Sequence, residues 1–140
     1  DMKLPLMDDI FTRLEMETSR KKKLAILRHH QPNKLMMKLL KYTFDPEIEF
    51  DLPEGAPPFK KNEAINEDDS GLYNEERRLY LFIKGGHPNL KSVRREEIFI
   101  QVLESVHPRE AKVLLAVKEK NLPYKGLTKK LVDEAFPGLI

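Results

Sequence analysis

The sequence predicts an all-α protein, a compact bundle of about seven short helices with one long, acidic, proline-rich loop. Two observations predict this fold class. Apolar residues recur at spacings of three and four through most of the chain, with no strand-rich segment and no internal repeat. Residues 45–73 differ, because prolines, glycines and acids follow one another there without a period. At 140 residues the chain has the size of one domain, so we expect a single core over residues 1–140.

The first three helices are predicted from apolar stripes and from residues that favour helix ends. Thr18 or Ser19 can cap the second helix, and Pro32 begins the third. Pro46 disfavours helical geometry at Asp45, so the third helix is expected to end there. The apolar positions are Leu6, Ile10, Phe11 and Leu14, then Leu24, Ile26 and Leu27, then Leu35, Met36, Leu39, Leu40 and Tyr42.

Four further helices are predicted in the second half of the chain. Asn74 can cap a fourth helix, which the Gly-Gly pair at 85–86 ends. Ser92 begins a fifth helix, and the His-Pro pair at 107–108 separates it from a sixth. The Gly-Leu-Thr sequence at 126–128 leads into a short seventh helix. The apolar positions are Leu79, Tyr80, Phe82 and Ile83, then Ile98, Phe99, Val102 and Leu103, then Ala111, Val113, Leu114, Leu115 and Val117, then Leu131, Val132 and Phe136.

Residues 45–73 are predicted to form a long surface loop between the third and fourth helices. Within it the alternation of Ile48, Phe50 and Leu52 indicates a short extended piece. Loops of this length are uncommon inside compact domains and are often functional or mobile. We therefore treat the acidic segment as a candidate interaction site.

Charge is segregated along the chain, although the formal net charge is only +2. No acidic residue lies between Glu17 and Asp45, and residues 77–95 form a second basic stretch with no acid. The segment between these stretches is acidic, with Lys60 and Lys61 as its only cations. Such blocks usually indicate a partner of opposite sign. The alternative is that the acidic and basic blocks complement each other within the fold.

Three basic groups, within residues 20–41, 77–95 and 125–130, are candidates for contact with nucleic-acid phosphates, and we expect helical packing to bring them together on one surface. Cations at the start of a helix oppose its dipole, so local stability does not explain residues 20–23 unless the helix begins earlier. A glycine before a helix lets an anion approach exposed backbone N–H groups, as at 126–128, although an ordinary capped turn is the alternative. The predicted DNA-binding residues are Arg20, Lys21, Lys22, Lys23, Lys34, Lys38, Lys84, Lys91, Arg94, Lys125, Gly126, Leu127, Thr128, Lys129 and Lys130.

Two stretches of the chain resemble the N-terminal helical DNA-binding domain of ATP-dependent DNA ligases from T-even-like tailed phages. They read KKKLAILRHHQPNKLMMKLLKYTFDPEIEFDLPEGAP, at 21–57, and EAKVLLAVKEKNLPYKGLTKKLVDEAFPGLI, at 110–140. The resemblance implies an all-α fold and binding of duplex DNA through phosphates and the minor groove. The matching residues of the closing turn and helix are Gly126, Leu127, Thr128, Phe136, Pro137, Gly138 and Leu139.

The resemblance does not extend to ligation, because no lysine of the chain begins the Lys-x-Asp-Gly motif that ligases adenylate. There is also no Gly-x-x-x-x-Gly-Lys-Ser/Thr phosphate loop and no nucleophile elbow. The chain has no cysteine, the adjacent His29 and His30 diverge on a helix, and His107 with Glu110 supplies too few ligands for zinc. We expect no catalytic centre, no cofactor and no metal.

The sequence therefore predicts a non-catalytic module that binds double-stranded DNA without sequence preference, in phage DNA replication, repair or packaging. The alternative is a protein-interaction or virion structural module that docks on a replication or virion protein through residues 45–73. A DNA mimic is a third possibility. No apolar run approaches the roughly 20 residues of a membrane span, and no secretory leader opens the chain, so we expect a cytoplasmic location without membrane contact.

Overall fold

The computed structural model describes residues 4–63 and 71–140. These residues form seven α-helices and one 3₁₀ helix, so the prediction of a compact all-α fold is confirmed. The α-helices are α1 (Met7–Met16), α2 (Arg20–His29), α3 (Lys34–Phe44), α4 (Leu72–Glu75), α5 (Ser92–Ser105), α6 (Pro108–Lys118) and α7 (Lys129–Ala135), and the 3₁₀ helix is Glu76–Phe82.

Helix α6 is the centre of the fold and packs against α1, α3 and α5, while α2 packs against α1 and α7. The predicted apolar stripes meet in one core, in which Phe11, Leu39 and Phe99 are buried. The rings of Phe82 and Phe99 pack edge to face with their centroids 5.1 Å apart. Each such side chain contributes about 1.5–3 kcal/mol by leaving water, so this core holds the helices in place.

The side chain of the N-cap residue caps four of the helices, α2, α3, α6 and α7. Ser19 Oγ accepts from the Lys22 N–H at 3.3 Å, which selects Ser19 over Thr18 as the cap of α2. Asn33 Oδ1 accepts from the Met36 N–H at 3.0 Å, so α3 begins after Asn33 and not at Pro32. Such caps are worth about 1 kcal/mol each.

The fourth predicted helix is correct in place but wrong at both ends. It begins at Leu72, so Asn74 lies inside it and is not a cap, and it continues as the 3₁₀ helix. Helical geometry ends at Phe82, because Ile83 is extended and forms an antiparallel bridge with Phe50. Tyr80, predicted to be inside, is 45% exposed.

Residues 45–63, which we call the strap, are the described part of the predicted loop. They contain no helix, and the predicted extended piece is present as the bridge at Phe50. The strap is fixed to the body, since the ammonium of Lys120 donates to the carbonyls of Tyr42, Asp45 and Ile48. The remainder of the predicted loop lies outside the described residues at 64–70, and residues 72–73 belong to α4.

Candidate nucleic-acid interface

Helices α2 and α7 pack directly on each other. This packing places the predicted basic residues of 20–23 and of 125–130 on adjacent elements. The guanidinium of Arg20 pairs with the Glu134 carboxylate at 2.9 Å, and Arg28 donates to the backbone carbonyl of Glu134 at 3.3 Å. Leu131 and Val132 of α7 are buried in the core beneath these contacts. The junction is therefore apolar inside and charged outside.

The turn before α7 is anchored on helix α1. The Tyr124 hydroxyl donates to the Asp8 carboxylate at 2.8 Å, and burial together with Asp8 raises the pKa of Tyr124. The Lys125 N–H donates to the Glu15 carboxylate at 2.6 Å, so an internal anion already occupies one backbone donor of the turn. Thr128 Oγ1 accepts from the Leu131 N–H at 3.1 Å as an ordinary helix cap.

Gly126 is required by its backbone angle and by a close neighbour. Its φ is +86°, and a Cβ there would lie 2.8 Å from Lys23 Cε. The ammonium of Lys23 continues past the glycine and donates to the carbonyl of Leu14 at 3.1 Å, near the C-terminal end of α1 where a cation is favoured. Lys23 therefore joins α1, α2 and the turn, and its charge is used inside the protein.

Apart from Lys23, the lysines of residues 20–23 and 125–130 are exposed. Leu127 of the turn, which was also predicted to contact DNA, is instead buried in the core. We call the exposed lysines the α2–α7 surface. Within residues 4–63 and 71–140 none of them forms an ion pair or a side-chain hydrogen bond. The members are Lys21, Lys22, Lys125, Lys129 and Lys130.

The other predicted site residues lie on different elements. Lys38 pairs with Glu76 at 3.0 Å, and Lys84 pairs with Glu49 at 3.3 Å. Lys34, at the start of α3, and Lys91 and Arg94, at the start of α5, are exposed. In the part of the chain that the structure describes, no hydrogen bond or ion pair links these five residues to α2 or α7.

The acidic block supplies counterions to the basic stretches that flank it. Besides the pairs of Lys38 and Lys84, Lys41 pairs with Asp45 at 3.1 Å. The side chain of Arg95 is 5% exposed and pairs with Asp51 at 3.1 Å, while it also donates to three backbone carbonyls. The two kinds of block therefore complement each other within this part of the fold.

Several polar side chains that the sequence left unassigned have structural roles. The Glu110 carboxylate is fully buried and accepts from the Met7 N–H at 2.8 Å, which caps α1 from α6. His107 Nδ1 accepts from the Arg109 N–H at 3.1 Å and caps α6. Burial, His29 and Arg13 lower the pKa of His30. The sequence indicates where α1 and α6 begin. It does not indicate that Glu110 and His107 accept the hydrogen bonds at those helix starts.

The described residues contain neither a metal-binding cluster nor a membrane-spanning helix. No group of three or more histidine, aspartate or glutamate side chains is placed there to hold a metal ion. No helix in the described segments has the length and apolar character required to cross a membrane.

A family model described as "Family of unknown function (DUF6433)" matches residues 10–124 of the 140. The chain belongs to this family. The DUF6433 match includes Lys21 and Lys22 of the α2–α7 surface and ends one residue before Lys125. No curated protein and no solved structure matches the chain.

Proposed function

We propose that this DUF6433 protein is a non-catalytic module that binds duplex DNA without sequence preference, through the α2–α7 surface. One observation carries the proposal. Five exposed lysines lie on α2, on α7 and in the turn before α7, and none has a carboxylate partner among the described residues. DNA phosphates can supply the negative charges that these lysines do not find within the described residues. Neutralising the phosphates releases counterions from the DNA, which favours binding.

The composition of the surface favours contact with phosphates over reading of bases. Lysine ammonium groups act as flexible point charges, whereas bidentate recognition of guanine requires a free arginine fork. Arg20, the arginine nearest to these lysines in the sequence, is held by Glu134. Phosphate contacts fix position without carrying sequence information, so we expect similar affinity for unrelated sequences.

The shortage of exposed aromatic rings favours duplex over single-stranded DNA. Proteins that bind single strands stack bases on aromatic side chains. Tyr124 precedes Lys125 in the sequence, but its ring lies 5.3 Å from that of Phe11 and its hydroxyl donates to Asp8. It is therefore held against α1. Among the described residues the exposed aromatic side chain is Tyr80, in the 3₁₀ helix.

The resemblance to ligase DNA-binding domains supports the same proposal and suggests its setting. A module of this kind would act in replication, repair or packaging of phage DNA, in the cytoplasm of the host cell. Ligation is not part of the proposal, because the adenylated lysine motif is absent from the sequence.

The test is a titration of two 20-base-pair duplexes of unrelated sequence, followed by fluorescence anisotropy over a series of salt concentrations. We expect equal affinities for the two duplexes and a log–log salt slope of about −0.9 per phosphate contacted. Lys129→Glu/Lys130→Glu should weaken binding to both duplexes by the same factor. Lys61→Glu/Lys112→Glu is the matched control, because it changes net charge equally at exposed lysines elsewhere. Undetectable binding at low salt would refute the proposal.

The second candidate function is docking on another protein through the acidic segment, as in a replication complex or a virion. One observation favours it. Glu54 of the strap and Glu96 of α5 line the same cavity, and neither forms an ion pair within the described residues. We propose this docking as an activity that uses a different surface from the DNA contact.

A further inference from the structure

A groove runs between the strap and helix α5, on elements that the α2–α7 surface does not use. It consists of two adjoining hollows of about 180 Å³ and 330 Å³, which share Leu52, Pro53 and Glu96. We call it the α5–strap groove. Its apolar lining includes Leu52, Pro53, Ala56, Pro57, Val93 and Phe99.

The groove is preformed, because hydrogen bonds fix the strap on both sides of it. The buried ammonium of Lys118 donates to the Pro53 carbonyl at 2.8 Å, and the Gly55 N–H donates to the Glu119 carboxylate at 3.2 Å. On the other side the Asp51 N–H donates to the Phe82 carbonyl at 2.8 Å. A preformed groove binds with a smaller ordering cost than a mobile loop does.

An apolar side chain stands exposed at the mouth of the groove. Val93, in the first turn of α5, is 71% exposed and lines the larger hollow beside Phe50 and Leu52. Exposed apolar patches that are rimmed by polar residues mark interaction sites on soluble proteins. This patch has such a rim, since Asp51, Ser92 and Glu96 line the same hollow.

The charge of the groove selects a cationic occupant. Glu54 and Glu96 have no ion pair in the described segments, and both line the smaller hollow. The cations that line the two hollows are already paired, because Lys118 pairs with Glu119 and Lys84 pairs with Glu49. Nucleic-acid phosphates are therefore repelled here, and a lysine or arginine side chain is attracted.

Lys118 adds a hydrogen-bond donor at the inner end of the smaller hollow. Its side chain is only 2% exposed, and its ammonium has three protons but two acceptors among the described residues, the Pro53 carbonyl and Glu119. Buried donors normally have an acceptor. A backbone carbonyl of an extended peptide would provide the third.

From these observations we infer that the α5–strap groove docks an extended segment of another protein, in which apolar side chains flank a lysine or arginine. The apolar side chains occupy the two hollows, and the cation lies between Glu54 and Glu96. This inference rests on the second candidate function and deepens it by naming the chemistry of the partner. It shares no residue with the DNA contact, so either can fail without the other.

The test uses three synthetic pentapeptides and the ¹⁵N–¹H spectrum of the full chain. The probes are acetyl-Leu-Pro-Lys-Leu-Leu-amide, the same peptide with glutamate in place of lysine, and acetyl-Ser-Gly-Lys-Ser-Ser-amide. We expect saturable shift changes confined to residues 50–57 and 92–99 with the first peptide, and at least tenfold weaker binding of the other two. Equal responses to all three peptides, or shifts outside the groove, would overturn the inference.

A pair of charge reversals on one helix provides the matched control. Glu96→Lys should lower the affinity for the first peptide by roughly tenfold or more. Glu97→Lys makes the same change of charge at the next residue, which is exposed and lines neither hollow, and should leave the affinity within about twofold. An equal loss in both variants would show that the groove does not hold the peptide.

Discussion

The α2–α7 surface and the strap region both contain many cations, but they use them differently. Around the strap, Arg95, Lys118 and Lys120 are turned inward and donate to backbone carbonyls and carboxylates. On the α2–α7 surface the five lysines point to solvent without a carboxylate partner in the described residues. A net charge of +2 conceals this difference, because acids of the acidic block pair with cations around the strap and, among the described residues, with none of the five lysines.

The comparison changes the interpretation of the segregated charge in the sequence. The charge blocks of the sequence suggested a partner of opposite charge, yet Asp45, Glu49 and Asp51 are counterions for Lys41, Lys84 and Arg95 within the fold. Cations near the strap therefore serve stability, and those of α2–α7 are available for a ligand.

Arg95→Met should cause the largest loss of stability, about 3–5 kcal/mol, because it leaves three backbone carbonyls without their buried donor. Urea unfolding followed by circular dichroism measures this loss. Arg94→Met is the matched control, since Arg94 is exposed, and it should change stability by less than about 0.5 kcal/mol. Equal effects would show that Arg95 has no special role.

Gly126→Ala should cost about 1–2 kcal/mol from its positive φ alone, and more because Lys23 must move away from the new Cβ. Gly138→Ala shares the positive φ of +87° but has open space around the Cβ position. The difference between the two free energies of unfolding therefore isolates the contact with Lys23. If both variants lose the same stability, the close approach at Gly126 is unimportant.

Glu134→Gln should raise DNA affinity by about two- to fivefold at low salt, because it removes a carboxylate beside the lysines and releases Arg20. The gain should fade as salt increases, since exposed charges are screened. Glu97→Gln removes one charge elsewhere and should give a smaller gain in the same anisotropy titration. A gain from Glu97→Gln as large as that from Glu134→Gln would argue against the location of the site.

Glu119→Gln should have the smallest effect, below about 0.5 kcal/mol, because Glu119 is half-exposed and the glutamine oxygen can still accept from Lys118 or Gly55. The hydrogen bond from Lys118 lowers the pKa of Glu119 below its usual 4.5. The larger free energy of unfolding of the wild type, relative to Glu119→Gln, is therefore fully present above pH 4.5. It is lost as the pH falls through the folded-state pKa of Glu119. Unfolding curves at pH 7 and at lower pH test this; an advantage that persists at low pH contradicts it.

The helical framework was predictable from sequence wherever apolar periodicity and caps agree. The stripes of α1 and α5 are buried as expected, and Ser19 and Thr128 are caps at the expected places. The fourth helix was mispredicted at its ends, because its boundary depends on pairing with the distant strap through Phe50 and Ile83. Local signals do not contain such a long-range contact.

The candidate site was predictable in part. Basic groups within residues 20–41, 77–95 and 125–130 were expected to converge. Packing of α2 on α7 brings parts of the first and third to adjacent elements, whereas Lys84, Lys91 and Arg94 of the second lie on other elements. The sequence did not show that Lys23 would be drawn inward to Leu14, or that Lys38 and Lys84 would find carboxylates on other elements. Ion pairing between distant residues depends on the tertiary fold, so a list of exposed cations has to wait for the structure.

One measurement tests the division of cations most directly, and it compares two triple variants of equal charge change. We expect Lys21→Gln/Lys22→Gln/Lys129→Gln to weaken duplex DNA binding at least tenfold and to flatten the log–log salt slope by about 2–3 units, with little loss of stability. We expect Lys38→Gln/Lys41→Gln/Lys84→Gln to bind DNA within about twofold of wild type and to unfold at lower urea concentration. Equal losses of DNA affinity in the two variants, or a loss confined to the second, would contradict the account.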